Sequence, residues 1–197
     1  KIKFDLVLYS TPPITFDSII KYVKQRDGAK SYLLLKDIFP QNAVDLKMIN
    51  KNNPLYWYFR HKEKKLYQLS DYIGCMSNAN VNYVIENNQQ INESNIEVCP
   101  NSITPINFNI DDSKKFNIRN EYNLPLDKTI FIYGGNIGKP QGIDFLIKCL
   151  DKNEYNSKSF ILIVGSGTEY SKLKKYFDNA KPVNSKLIAH VEKEKYE

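Results

Sequence analysis

This sequence predicts an α/β protein with two doubly wound parallel sheets, both incomplete within its 197 residues. Three observations carry that prediction. Short apolar runs alternate with amphipathic helical patterns along nearly the whole chain, the grammar of β-α-β units. The runs show little period-two alternation, as in strands covered on both faces. The alternation also fades between Pro100 and Leu126 and then restarts, which separates one sheet from the next.

Residues 4–9 (FDLVLY) read as a strand with both faces buried, stopped by Ser10-Thr11-Pro12-Pro13. Phe16, Ile19, Ile20 and Val23 then fall on one face of a helix. A strand at 31–35 (SYLLL) leads into the loop Lys36-Asp37-Ile38-Phe39-Pro40, and a helix is expected over 43–49. After a break at Asn52-Asn53-Pro54, a longer helix runs from 55 to about 70. A strand at 72–76 (YIGCM) follows, then a helix over 78–88 with Val81, Val84 and Ile85 inward, then a strand at 96–99. Pro100, Pro105, Asp111, Asp112 and Pro125 punctuate a polar stretch with one short helical candidate at 114–122. The second region opens with a strand at 129–133 (TIFIY) and a helix whose inner face is Ile143, Leu146, Ile147 and Leu150. A strand at 159–164 (SFILIV), a helix carrying Tyr170, Leu173 and Phe177, and a strand at 186–191 complete the pattern. The expected organisation is one domain over 1–103, a linker over 104–126 and a second domain over 127–197.

Composition narrows the function. Apolar residues are 42% and charged residues 25%, ordinary for a globular chain and unlike a disordered one. No apolar run approaches the roughly 18–20 residues of a spanning helix. Cys75, Cys99 and Cys149 are odd in number with no C-x-x-C, which argues against a disulfide scaffold or zinc site and for a reducing, cytoplasmic setting. The net charge of +6 suits an anionic partner, but cations are dense only at 60–65 and no nucleic-acid signature is present. Nucleic acid is therefore not expected. The first residue is Lys1, followed at once by an apolar run, so the chain reads as an internal fragment.

The segment richest in chemistry is YGGNIGKPQG, 133–142. Gly134, Gly135 and Gly138 allow tight turns that bring N–H groups near a ligand, and a helix opening near Gly142 offers its positive end to an anion. Lys139 adds a mobile charge. Gly165-Ser166-Gly167 repeats the geometry one strand later. This is a diphosphate cradle in design, although the same glycines would also serve a turn that only packs strand on helix. The dinucleotide fingerprint G-x-G-x-x-G is not matched and no acid ends the next strand, which disfavours a nicotinamide oxidoreductase.

With these motifs in view, YGGNIGKPQGIDFLI and VGSGTEYSKLKKY resemble the first half of the donor domain of a family 4 glycosyltransferase of the GT-B fold. STPPITF, LLLKDIFPQNAVDL, SDYIGCMS and VCPNSI resemble the back half of its acceptor domain, as in bacterial enzymes of capsule or O-antigen assembly. The resemblance implies two Rossmann-like domains, with a nucleotide-sugar as substrate, most commonly a uridine diphosphate sugar, and no cofactor. Its cradle would comprise Gly134, Gly135, Asn136, Gly138, Lys139, Gln141, Gly142, Gly165 and Gly167, with Asn136 and Gln141 where the family commonly places Arg and Lys. The family's paired glutamates lie beyond the third strand of that domain, outside this chain, so the fragment alone is expected to be inactive. Asp37, after a buried strand, stands where related enzymes keep a His or Asp near the acceptor hydroxyl, and its other reading is a loop or helix cap. Thr11, Pro12 and Asn101 would shape the acceptor pocket. The implied reaction is retaining and metal-independent, since no D-x-D pair follows a strand and Asp111-Asp112 falls in the linker. The acceptor would be a glycan, lipid-linked in such systems. Residues 55–65, mixing aromatics with cations, would then touch the inner face of the membrane, or would simply be a crossover helix packed through Leu55, Phe59, Leu66 and Leu69. His61 and His190 stand alone and are not expected to bind metal. A non-catalytic nucleotide-sugar or partner-binding module of a polysaccharide assembly system is the alternative.

Overall fold

The computed structural model describes residues 2–105, 112–189 and 191, so Asp111 and His190 of the sequence reading lie outside the described residues. The chain divides into two compact units, Lys1–Pro105 and Ile106–Glu197. The first holds a four-stranded parallel sheet in the order β1-β2-β3-β4: Leu6–Ser10, Lys30–Leu35, Tyr72–Cys75 and Ile96–Val98. Its helices are α1 (Asp17–Asp27), α2 (Gln41–Asp45), α3 (Pro54–Leu69) and α4 (Asn78–Asn87). The second unit carries α5 (Asp112–Glu121), then β5 (Thr129–Asn136), α6 (Ile143–Asn153), β6 (Ser159–Ser166), α7 (Tyr170–Ala180) and β7 (Ser185–Ile188). Its three strands are parallel, in the order β5-β6-β7.

Local chemistry sets the element ends. Gly28 terminates α1 in the left-handed conformation, φ 72°, with its N–H donating to Lys24 O at 2.9 Å. Asn53 caps α3, its side-chain oxygen accepting from Leu55 N at 2.9 Å, with Pro54 as the first helical residue. Ser77 caps α4 by accepting from Asn80 N. The helix expected over 43–49 ends at Asp45, because Lys47 turns into the left-handed region at φ 56°.

In both sheets the spatial order equals the chain order. Crossovers between parallel strands are right-handed, so a strictly sequential order sends every connecting helix to the same side. Leu33, Leu35, Ile73 and Cys75 pack there under Ile20, Leu66, Tyr67 and Val84. The opposite face of the first sheet is left open among the described residues, with Leu6 54% and Leu8 60% exposed. The expectation that residues 4–9 are buried on both faces is corrected by that one-sided winding. Ile19, placed inward by periodicity, likewise faces out at 57%. In the second unit Ile143, Leu150, Ile163 and Leu173 form the core beneath α6 and α7. Leu124 and Tyr122, just after α5, cover Phe160, Leu162 and Val164 on the other face.

Candidate functional site

Ligands of parallel α/β sheets bind beyond the carboxyl ends of the strands, and each unit has its own such edge. In the second unit β5 and β6 stay in register to their last residues, pairing Gly135 with Gly165 and Asn136 with Ser166. The two glycine-rich loops close on each other. A Cβ on Gly165 would stand 2.0 Å from Gly135 O, and one on Gly167 2.4 Å from Ile137 O. Ile137, fully buried, donates its N–H to Ser166 O at 2.8 Å and accepts from Glu169 N at 2.9 Å. Gly165 and Gly167 therefore serve backbone packing between loops, the plainer of their two readings. Gly135 differs. Its φ of 140° excludes other residues, yet nothing lies within 4 Å of where its Cβ would be, so the backbone turns beside open space.

Within 133–142, Gly138 N donates to Gln141 Oε1 at 3.1 Å, and the Tyr133 hydroxyl donates to Asn136 O at 2.7 Å. Gln141 thus fastens the loop to itself. Lys139 opens a short 3-10 turn, Lys139–Gln141, and is exposed with no ion pair among the described residues. Gly142, at φ 64°, turns the chain into α6. Gly134 and Asn136 are exposed at the end of β5. One charged residue escaped the sequence reading, which looked for cations. Asp144, in the first turn of α6, is exposed and paired with Lys172 Nζ at 2.7 Å. The carboxylate favours the positive end of the helix and, in pairing, raises the Lys172 ammonium above its usual range. Lys172 also reaches Glu169 at 3.5 Å, so its charge is shared between two acids.

In the first unit, Thr11 and Asp37 come together at the carboxyl edge through the backbone. The Thr11 hydroxyl donates to Asp37 O at 3.0 Å and accepts from Asp37 N at 3.3 Å. Thr11 is 2% exposed, so it positions the Asp37 loop and leaves no free hydroxyl for a pocket. The Asp37 carboxylate is exposed and caps no helix, since α2 starts after Pro40. Pro12 and Asn101 are exposed on the same unit. Just past Asp37 lies a cleft of about 240 Å³ lined by Ile38, Gln41, Asn42, Asp45, Asn80 and Tyr83. Gln41 Nε2 donates to Asp45 Oδ1 across its floor at 2.7 Å. These residues were missed because they come from α2 with the loop before it and from α4, 35 or more positions apart (Asp45 to Asn80), with no shared motif. Among the described residues no three His, Cys, Asp or Glu side chains gather as a metal would need, and no helix is long and apolar enough to cross a membrane.

No family model matches the chain. Over 175 residues it is 24% identical to a Pseudomonas aeruginosa protein named "Probable glycosyltransferase WbjE", covering 87% of this chain and 42% of that one. HepE of Anabaena, solved in complex with UDP-glucose, matches with a TM-score of 0.65 at 12% identity over 95% of this chain and 49% of its own. TarM matches at 0.60 with 14% identity, over 97% and 34%. WaaG, a glycosyltransferase involved in lipopolysaccharide biosynthesis, matches at 0.56 with 9% identity, over 98% and 71%. The chain spans less than half the length of the curated relative and of HepE. At these identities the likeness establishes the fold, α/β with parallel sheets of the kind found in GT-B glycosyltransferases.

Proposed function

We propose that the chain is part of a glycosyltransferase that moves a sugar from a nucleotide diphosphate donor to a glycan acceptor, retaining and metal-independent, of the family 4 type. Its division into an acceptor part at 1–103, a linker at 104–126 and a donor part at 127–197 belongs to the same reading. The observation that carries it is the turn of Gly135 beside open space at the carboxyl edge of β5, with exposed Lys139 and the start of α6 next in the chain. The likeness to a curated probable glycosyltransferase supports it, as does the likeness to HepE, solved with UDP and glucose.

In the reaction the bond between the anomeric carbon and the diphosphate oxygen breaks, and the electron pair leaves with the diphosphate. The acceptor oxygen bonds to the same face of that carbon, and its proton passes to the departing diphosphate oxygen. Lys139 and the first-turn N–H groups of α6 would offset the charge growing on the leaving diphosphate. Exposed Asp37 would accept a hydrogen bond from the acceptor hydroxyl, and the amide-lined cleft beside it suits a polyhydroxylated ligand. A lipid-linked glycan of surface polysaccharide synthesis is the proposed acceptor, and the cytoplasm the proposed site.

The test is turnover and titration of the intact protein with UDP-sugars. Lys139→Ala should raise the donor KM or lower kcat about tenfold, the loss of one charge-assisted phosphate contact. Asp37→Asn should lower kcat and leave donor binding unchanged. Binding without turnover would leave a nucleotide-sugar-binding module, whereas absent nucleotide binding would remove the donor cradle altogether.

A further inference from the structure

We propose that the cleft between α2 and α4 holds the terminal sugar of the acceptor and selects a neutral pyranose there over an anionic one. The inference rests on the sugar-transfer reading and gives it a substrate class. At about 240 Å³ the cleft has room for about eight waters, the scale of a single ring and below the space that larger ligands occupy. Its lining begins at Ile38, the residue after Asp37.

Amides dominate the α2 side. Gln41 Nε2 donates to Asp45 Oδ1 at 2.7 Å, and because a carboxylate only accepts, that bond fixes which way the amide points. Gln41 Oε1 is left without a partner. It is buried and accepts no hydrogen bond among the described residues, and the same holds for Asn42 Oδ1. Two adjacent side-chain carbonyls have thus left water with nothing in return, a penalty that a hydroxyl donated by a ligand would cancel. Both oxygens lie out of water's reach, so binding includes a turn of the two side chains toward the ring.

The α4 side supplies donors. The Asn80 side-chain oxygen accepts from the Ser77 hydroxyl at 3.2 Å, which leaves Nδ2 without a partner among the described residues. The Tyr83 hydroxyl is unbonded there too. Burial, with Glu63 and Tyr56 of α3 nearby, raises that hydroxyl above its usual range, so it stays a neutral donor. Tyr56 holds the inward place on α3 that the sequence pattern assigned to Leu55, which is 47% exposed. A sugar hydroxyl both donates and accepts, and so can serve the two sides at once. Charge then sets the class. Asp45 is the one charged residue of the lining, and no Lys or Arg joins it among the described residues. A uronate or a phosphorylated sugar would meet that carboxylate with no cation in the lining to offset it.

The experiment is NMR of the nitrogen-labelled intact protein, read at the side-chain amides of Gln41, Asn42 and Asn80. The probes are methyl glucoside, methyl galactoside and methyl glucuronide. At least one neutral glycoside is expected to shift these resonances, with the glucuronide bound about fivefold more weakly. Gln41→Ala should weaken the neutral glycoside about tenfold. Asp45→Asn keeps an oxygen for Gln41 Nε2 and should bring the glucuronide to within about twofold of the neutral glycoside. Amide resonances unmoved by both neutral glycosides overturn the proposal, as does a glucuronide that binds the wild type equally well. UDP titration, read at residues 133–142, reports the donor reading separately. Its failure beside intact glycoside shifts sinks sugar transfer and with it the acceptor role of the cleft. Glycoside failure beside UDP binding sinks this inference alone.

Discussion

The two units fasten the amino edges of their sheets at the same topological place with different chemistry. In the first, Lys24 near the end of α1 reaches Asp71, just before β3, at 2.7 Å, Leu69 O at 2.6 Å, and Ser31 of β2 at 3.1 Å. Asp71 also accepts from Ser31 N at 2.8 Å. In the second, Asn153 at the end of α6 accepts from the Ser159 hydroxyl at the start of β6 and donates to Asn184 O at 3.1 Å, just before β7. Asn184 Nδ2 donates to Glu154 O at 2.8 Å, and Lys128 reaches its side-chain oxygen. A serine stands at the same step in both joints. Around it an ion pair in one unit is matched by paired amides in the other. The fold demands a polar clasp between helix end and strand start and leaves its charge open.

The contrast is broken or sharpened by substitution. Asp71→Ala strands a half-buried ammonium and the Ser31 N–H, and should cost the first unit about 3 kcal/mol in denaturant unfolding. Asn184→Ala removes a bond from the Lys128 ammonium and one to the Glu154 carbonyl, strands no buried charge pair, and should cost the second about 1–2 kcal/mol. Amide exchange of β2 and β6 assigns each loss to its unit. Equal losses would make the two clasps energetically alike. The smallest effect is in pH. Burial works to raise the Asp71 carboxyl, but bonds from Lys24 and Ser31 outweigh it and hold it below 3.8. A carboxyl lowered by folding stabilises above its unfolded value and loses that share as pH falls through its folded one. The stability gap between wild type and Asp71→Asn should therefore shrink below about pH 4, while Asn184→Ala stays level there. Glu63 acts in the opposite sense, since burial raises its carboxyl from 4.5 despite Arg60 and Tyr67. Its share is present at acid pH and lost as pH rises, so the gap and not the total stability is the quantity to follow.

Most strands and helices were legible because burial on a parallel sheet writes itself as apolar runs and 3.6-residue stripes. Val84, Leu150 and Leu173 needed only their periodicity. What the pattern could not carry was sidedness. A run such as FDLVLY is equally apolar whether one or both faces are covered, and only the strand order reveals that Leu6 and Leu8 are open. The early end of α2 was hidden because Lys47, not a glycine, takes the left-handed turn. At the candidate site the glycine spacing was readable. Hydrogen bonds spanning long separations were not: Thr11 holding Asp37, or Lys24 meeting Asp71 47 positions away. Gln141 closing onto Gly138 was not legible either, because a side chain near a cradle can tie the loop as readily as face its ligand.

The strict sequential strand order also bears on how the protein is made. Within each described sheet every strand after the first pairs with the one emitted just before it, so that strand leaves the ribosome with a template edge already waiting. β2 can add to β1, β3 to β2 and β4 to β3 in turn. Along these described strands elongation and pairing run in one direction.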